Sequence, residues 1–186
     1  MSYAELHCLS NYSFLRGASH PSELVEQAVH LGYSALAITD ECSLAGVVKA
    51  QVVAKELDFK LIIGSEFNVS EGLKLVAIAP SRAAYGELSN LISRSRRRSE
   101  KGQYLTHLRD IYFHLKRCFI IWLPTHIDEE KHHADILSRR FADRFWIGVT
   151  QLLHHDDTTR LTELQQIASE LCLLYTSPSP RDCKTS

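Results

Sequence analysis

Strand-like and helix-like segments alternate along most of this 186-residue chain, and this alternation limits its fold more than any other feature. Short runs of apolar and β-branched residues, such as SALAIT over 34–39, have the length of buried strands. Segments such as PSELVEQAVHLG over 21–32 repeat apolar residues at helical spacing, with Pro21 in the first turn and Gly32 at the end. Alternating strands and helices are typical of a parallel sheet covered by helices. An open doubly wound sheet and a closed barrel both fit this rhythm.

The expected elements can be placed from periodicity and from residues that begin or end helices. The predicted strands are 3–8, 34–39, 60–64, 73–79, 118–123 and 146–153. The predicted helices are 21–32, 43–58, 81–93, 128–145 and about 157–171, with Ser81 capping the third and Asp156 or Asp157 the last. We therefore expect about six strands before residue 171.

Composition and cysteine usage narrow the class of protein. The formal net charge is −1, which gives no global argument for nucleic-acid binding. No apolar run approaches the ~20 residues of a membrane helix, and the N-terminus MSYAELHCLSNYS lacks the pattern of a secretory signal. The cysteines show no CxxC spacing, which favours reduced thiols over a disulfide framework: Cys8, Cys42, Cys118, Cys172 and Cys183. These features predict a cytoplasmic protein with no membrane partner.

Polar side chains lie at the ends of three predicted strands. Glu5 and His7 belong to the first, Asp40 and Glu41 follow the second within AITDECSLAG, and Glu66 ends the third within IIGSEF. The carboxyl ends of strands are where α/β enzymes commonly place their chemistry. The spacing therefore predicts a convergent acidic site, without specifying what the site binds.

The segments around these residues carry a more specific signal. YAELHCLSNYSFLRGAS, ALAITDECSLAGVV and LIIGSEFNV, in that order, resemble the PHP (polymerase and histidinol phosphatase) domain that opens bacterial C-family DNA polymerases. The segment APSRAAYGELSNLISRSRRRSEKGQYL resembles the next part of the error-prone, polymerase III alpha-like members. The resemblance covers about residues 3–170. It implies an α/β fold, a distorted (β/α)7 barrel of the PHP type, which we expect to be incomplete at its C-terminal end.

The resemblance also identifies which metal-ligand positions are kept and which are changed. Metal-binding members carry His-x-His, an Asp before a Gly, Thr-Asp-His, Gly-x-Glu and a further His, and hold up to three divalent ions. Three positions match this pattern: His7, Asp40 and Glu66. Four positions depart from it: Leu9, Arg16, Glu41 and Lys74.

The departures are consistent with one another chemically. Leucine cannot ligate a metal, and arginine and lysine repel a divalent cation. Buried carboxylates still need a compensating positive charge, which Arg16 and Lys74 can supply as ion-pair partners. We therefore predict a degenerate PHP site that binds no metal, with retention of a single ion as the alternative; its residues are His7, Arg16, Asp40, Glu41, Glu66 and Lys74.

A basic segment, RSRRR over 94–98, interrupts the otherwise balanced charge. In a polymerase such a segment can contact the phosphate backbone without reading sequence. The candidate phosphate contacts are Arg96, Arg97, Arg98 and Lys101. The alternative, which we favour, is a solvated helix end stabilised by the helix dipole.

The C-terminal segment CLLYTSPSPRD over 172–182 breaks the strand–helix rhythm. It resembles the in-frame translation of a sequencing adapter, so we divide the chain into a partial PHP domain, 1–171, and a non-native tail, 172–186. A genuine Pro/Ser linker is the alternative. We expect the tail to be irregular, because Pro178 and Pro180 lack the backbone donors that a central strand needs.

The function implied by the resemblance is that of an N-terminal fragment of an error-prone DNA-directed DNA polymerase, acting in translesion synthesis and DNA damage-induced mutagenesis. The parent enzyme would use Mg²⁺ held by aspartates of a polymerase domain to which nothing in this sequence corresponds. We expect the fragment to be structural and inactive alone, with no catalytic residue or cofactor of its own. Through the parent it would meet DNA and other replication or damage-response proteins.

Two other functions are compatible with parts of the sequence. A stand-alone PHP-type metal-dependent phosphoesterase would need a nearly full set of His and Asp ligands, which this chain lacks in its first 80 residues. An interaction module would instead use the basic segment as a contact surface.

Overall fold

The computed structural model describes residues 3–149, 157–171 and 173–175. Seven strands form one sheet: β1 (Ala4–Cys8), β2 (Ala35–Ile38), β3 (Leu61–Asn68), β4 (Lys74–Ile78), β5 (Phe119–Trp122), β6 (Phe145–Ile147) and β7 (Leu174–Tyr175). Six helices accompany them: α1 (Pro21–His30), α2 (Val47–Glu56), α3 (Arg82–Arg97), α4 (Leu108–His114), α5 (Ile127–Phe141) and α6 (Asp157–Glu170).

The strands lie in the sheet in the same order as in the chain, from β1 to β7. Across the described residues, β1 pairs with β2 alone and β7 with β6 alone, so the sheet does not close on itself. This arrangement confirms the predicted α/β class and the expectation that the barrel is incomplete. The six strands expected before residue 171 are present as β1 to β6.

The sheet is parallel, as the rhythm predicted, except at β4. This strand runs antiparallel to both of its neighbours, β3 and β5, whereas the other neighbouring pairs are parallel. The reason is the short connection between β3 and β4, where the Val69 amide bonds to the Leu73 carbonyl at 2.8 Å and Gly72 has a φ of +94°. A connection this short can only reverse the chain, because a parallel return needs a long crossover.

Local signals placed the helices well. Helix α1 begins at Pro21 and is followed by Gly32 with a φ of +71°, as its sequence predicted. The Ser81 hydroxyl accepts a hydrogen bond from the Ala84 amide at 3.2 Å, which confirms it as the cap of α3. Helix α4 was not predicted. The strand predicted over 146–153 is shorter in the structure, β6 ending at Ile147, and residues 150–153 lie outside the described ranges.

The apolar core lies on both faces of the sheet. Leu75 and Ala77 of β4 pack into a large buried cluster that includes side chains of α3, α4 and α5. Val76 and Ile78, which alternate with them, belong to a smaller cluster on the opposite face. Burial of β4 on both faces fixes its register, and therefore the positions of the side chains at the ends of neighbouring strands.

The expectation that residues 172–186 are irregular was wrong for the part of that segment that the structure describes. Leu173 is buried, and Leu174–Tyr175 pair in parallel with β6. An apolar side chain at 173 and two extended residues are enough to continue the sheet edge, while Pro178 and Pro180 lie outside the described ranges. The origin of the segment as a non-native tail stays a prediction.

None of the helices within the described ranges has the length and apolar character needed to cross a bilayer.

Candidate functional site

The parallel pairing of β1, β2 and β3 brings the polar residues at their ends together around Glu66. This carboxylate is fully buried, at 0% exposure. Arg16, from the loop between β1 and α1, donates to both of its oxygens, with Nη2 lying 3.1 Å from Oε2 and Nη1 bonded to Oε1. His7 of β1 places Nε2 2.7 Å from the same Oε2. The geometric part of the prediction, an ion pair between Arg16 and these carboxylates beside His7, is therefore confirmed.

The charge states at this centre follow from the contacts. Burial by itself raises the pKa of Glu66, but hydrogen bonds from His7 and Arg16 outweigh it and lower the pKa to about 2. The bond to Glu66 raises the pKa of Arg16 above its usual value. Glu66 is therefore ionised and Arg16 charged at neutral pH.

Glu41 is the second carboxylate that Arg16 binds, at 2.7 Å from Nη1 to Oε2. The other Glu41 oxygen accepts hydrogen bonds from the Tyr104 hydroxyl at 2.7 Å and from Asn68 Nδ2 at 2.6 Å. Burial raises the pKa of Glu41, but the bonds from Arg16 and Tyr104 bring it below its usual value. Sequence reasoning did not find Tyr104 or Asn68, and the only signal for them was the likeness of their segments to the family.

Asp40 is held differently from the expectation. Its buried carboxylate accepts hydrogen bonds from the Ser10 amide at 2.8 Å, the Ser10 hydroxyl at 2.7 Å and the Ser13 hydroxyl at 2.7 Å. Arg16 is directed at Glu41 and Glu66 instead. Two serines and one amide thus satisfy Asp40 without a cation.

The expected role of Lys74 was wrong. Lys74 is the first residue of β4 and lies opposite Asn68 in the antiparallel register, two residues along β3 from Glu66. The carboxylate oxygens of Glu41 and Glu66 are already bonded to Arg16, His7, Tyr104 and Asn68. No ion pair in the part of the chain that the structure describes includes Lys74. We therefore use the name Glu66 cluster for five residues: His7, Arg16, Glu41, Glu66 and Tyr104.

Arg96 is a structural contact and not a free cation. Its guanidinium donates to the backbone carbonyls of Glu41 and Cys42, each at 3.1 Å, and lies 5.2 Å from the centre of the Tyr104 ring. Cys42 has a φ of +44°, an uncommon conformation for a residue with a side chain. Arg96 therefore fixes the strained turn that carries Glu41 into the cluster.

The other members of the basic segment divide into two kinds. Arg98 forms a two-point ion pair with the buried carboxylate of Asp110, with Nη2 2.9 Å from Oδ1. Burial raises the pKa of Asp110, but the hydrogen bond from Arg98 outweighs it and lowers that pKa to about 2. Arg97 and Lys101 are exposed, and the Arg97 Nε donates to Ser93 within its own helix. Two of the four candidate phosphate contacts are thus engaged inside the protein.

The donor set does not fit the metal centre that the resemblance implies for metal-binding members. Leu9 has no donor atom, and the Arg16 guanidinium lies against Glu66 at short range. The oxygens of Asp40 and Glu66 already accept strong hydrogen bonds. Among residues 3–149, 157–171 and 173–175 no three His, Cys, Asp or Glu side chains are grouped to hold a metal ion. What the arrangement does is hold three chain segments together by charge.

The chain matches one protein-family model and several named proteins over most of its length. A family model described as the PHP domain matches residues 5–167. Proteins named error-prone DNA polymerase are 51% identical over 175 residues in Saccharophagus degradans, 52% over 172 in Methylococcus capsulatus and 48% over 173 in Pseudomonas aeruginosa. These matches cover 92% of the chain but 16–17% of each relative. The chain thus spans about a sixth of the length of these relatives.

Solved structures resemble the fold at low sequence identity. A protein from Bifidobacterium adolescentis described as a metal-dependent phosphoesterase superposes with a TM-score of 0.67 at 17% identity, over 96% of this chain and 87% of that one. An amidohydrolase from Chromobacterium violaceum, solved with sulfate and no metal, gives a TM-score of 0.66 at 16% identity over the same shares. At these identities the likeness concerns the fold alone.

Proposed function

Because this chain belongs to the PHP domain family, we propose that it is the N-terminal PHP domain of an error-prone DNA polymerase and serves there as a structural domain. The proposal is supported by identities of 45–52% to proteins of that name, spread over more than nine-tenths of the chain. Nucleotidyl transfer, with Mg²⁺ held outside this segment, is proposed for the whole protein and not for this domain.

One observation carries the structural role: Arg16 joins Glu66 and Glu41, which come from two different strand ends. A metal ion in such a position neutralises converging carboxylates and fixes their geometry. A guanidinium can do the same, because its planar fork bonds two carboxylates at once and is charged at any physiological pH. We infer that the ion pair has taken over the stabilising part of a metal centre, while the chemistry of that centre has been lost.

The phosphoesterase alternative has less support. Two structural neighbours bear hydrolase names, but only the fold is shared with them at 16–17% identity. Hydrolysis at such a site needs a metal-activated water and several open donors. Here Leu9 supplies no donor, and Arg16 would repel the metal.

The wider setting follows from the proposed parent. Translesion synthesis after DNA damage would make DNA the partner of the whole enzyme, with other replication or damage-response proteins binding it as well. The proposed location is the cytoplasm, in keeping with five cysteines that lack disulfide or zinc spacing.

The test measures metal-dependent hydrolysis and metal binding by the purified chain. With Mn²⁺ or Zn²⁺ we expect no phosphoesterase and no 3′-exonuclease turnover, and no heat of metal binding at the Glu66 cluster. Metal-dependent turnover that Glu66→Ala abolishes would contradict the structural role. The polymerase assignment is tested separately, by primer extension with the full-length protein from which this segment derives.

A further inference from the structure

A shallow groove of about 590 Å³ lies between α4 and α5 and shares no residue with the Glu66 cluster. Its walls combine aromatic, cationic and apolar side chains: Tyr112, His132, Asp135, Ile136, Arg139 and Arg140. The proposed structural role makes no use of this groove.

Positive charge dominates the groove. Arg139 and Arg140 face a single lining carboxylate, Asp135. The Arg139 side chain is 79% exposed, and its pair with Asp135 at 2.8 Å is a surface contact one helical turn apart. Such pairs contribute little to stability, so the guanidinium can turn to another anion at small cost. The groove is therefore complementary to a phosphate and not to a cation.

An aromatic pair lies beside these cations. Arg140 donates from Nε to the Tyr112 carbonyl at 3.2 Å, and its guanidinium lies 5.2 Å from the centre of the Tyr112 ring. The Phe113 ring meets Tyr112 edge to face at 5.0 Å and is 63% exposed. A ring exposed to this extent gains little from the protein's own core. It offers an exposed face beside Tyr112, the ring that Arg140 contacts.

Further cations flank the aromatic pair. Arg109 precedes Phe113 by one turn of α4 and is exposed, as is Lys116 just beyond the helix. On the other side α3 is joined to α4 by the Arg98–Asp110 pair, which leaves Arg97 exposed near that helix end. Exposed cations thus lie on α4 beside this ring in sequence and at the end of the neighbouring helix α3.

We propose that the surface formed by α4 and α5 binds single-stranded nucleic acid. Bases stack on the exposed Phe113 ring, and phosphates bind Arg109, Arg139 and Arg140. Sequence-tolerant binding of single strands uses this combination, because every base has a π-face and every nucleotide a phosphate. In a duplex the base faces are stacked on one another, so a duplex would bind this surface through its phosphates alone. This inference goes beyond the proposed structural role, which does not require nucleic-acid contact.

Binding is measured by fluorescence anisotropy, using the full chain and a labelled oligo-thymidine of about 15 nucleotides. We expect Phe113→Ala to weaken binding about tenfold, the loss typical of one stacked base, and Phe113→Trp to bind at least as tightly as the unaltered chain. Arg109→Gln combined with Arg139→Gln should weaken binding and lower the slope of log K against log salt by about 1.4, since each phosphate contact on a single strand contributes about 0.7.

Matched controls change the same residue types elsewhere. Phe14→Ala removes a ring that is 84% exposed on the loop between β1 and α1, and Lys55→Gln with Lys60→Gln removes two exposed charges near α2. Both controls should bind like the unaltered chain, and circular dichroism should show all variants folded. Three results would overturn the proposal: no binding at low salt, equal affinity for duplex and single strand, or full affinity in Phe113→Ala. Equal competition by inorganic polyphosphate at matched charge would also overturn it, by showing an anion-binding surface without stacking.

Discussion

Arg16 donates both terminal nitrogens of its guanidinium to the carboxylate of Glu66, which lies fifty residues later in the sequence. The carboxylate is fully buried, whereas the Arg16 side chain keeps about a third of its surface in water, at 32%. The arginine thus reaches from an exposed loop into the interior and neutralises a charge that could not be buried alone. Arg16 therefore contributes, together with His7, to the stability of the strand ends.

Arg16→Gln should lower the free energy of unfolding by about 2 kcal/mol, because it leaves the Glu66 charge buried with His7 alone. The loss is smaller than the ~3–5 kcal/mol for a fully buried pair, since Arg16 is partly solvated. Urea denaturation measures it. Arg16→Lys keeps the charge but not the two-point geometry. Its free energy of unfolding should therefore lie between those of the unaltered chain and Arg16→Gln. An unchanged urea midpoint in Arg16→Gln would show that the ion pair is not stabilising.

The stability of the fold should depend on pH through Glu66. The pKa of this carboxyl is about 2 in the folded protein against an ordinary value of 4.5, so the unfolded chain binds the proton first as pH falls. The contribution is complete above about pH 4.5, declines below it and is gone near pH 2. Asp110, whose pKa is also lowered to about 2, adds to the same decline.

Urea titrations between about pH 2 and pH 6 measure this dependence. Glu66→Gln removes the titrating group, so its free energy of unfolding should change less with pH than that of the unaltered chain. Identical pH profiles for the two proteins would contradict the assignment of a lowered pKa to Glu66.

Arg96 and its neighbour Arg97 should respond differently to alanine. Arg96→Ala removes two bonds to the turn after β2 and the contact with the Tyr104 ring, and should cost about 1–2 kcal/mol. Arg97→Ala removes an exposed side chain and should stay within about 0.5 kcal/mol of the unaltered chain. Thermal unfolding of the two variants compares them. Equal melting temperatures would show that the contacts of Arg96 with the turn do not stabilise the fold.

Residue exchange at three positions should create a metal site at the Glu66 cluster. Leu9→His, Arg16→Asp and Glu41→His together restore the ligand types that metal-binding PHP domains carry at these positions. Calorimetric titration should show heat of Mn²⁺ binding in the triple variant and none at the Glu66 cluster of the unaltered chain. The matched variant keeps Arg16 and carries only the two histidines. If it binds Mn²⁺ as tightly as the triple variant, Arg16 is not what excludes the metal.

The sequence predicted what depends on local pattern. Periodicity and caps placed α1 and α3, and Pro21, Gly32 and Ser81 do in the structure what their positions indicated. The Arg16 ion pair followed from the family resemblance, which marked Arg16 as a cation at a metal-ligand position, together with the need of a buried carboxylate for a partner.

What the sequence could not predict depends on register and on distant segments. Lys74 was predicted, like Arg16, to pair with the carboxylates because of its positive charge. The register of β4 instead places it opposite Asn68. Tyr104 reaches Glu41 from 63 residues away, a contact with no periodic signal. Asp40 was expected to need a cation, yet two serine hydroxyls and an amide satisfy it. Hydroxyl–carboxylate bonds between loops leave no spacing rule in the sequence.

Because every strand of the sheet is paired with the next strand in the chain, the molecule can be built in the order in which it is synthesised. Each new strand meets an edge already made by its predecessor, so each step closes only the connection between two consecutive strands. The Glu66 cluster is complete once Tyr104 has been added, before β5 exists. Its central cation, Arg16, is part of the polypeptide and is present once in every chain. Assembly of the strand ends therefore does not depend on the concentration of a metal ion in solution.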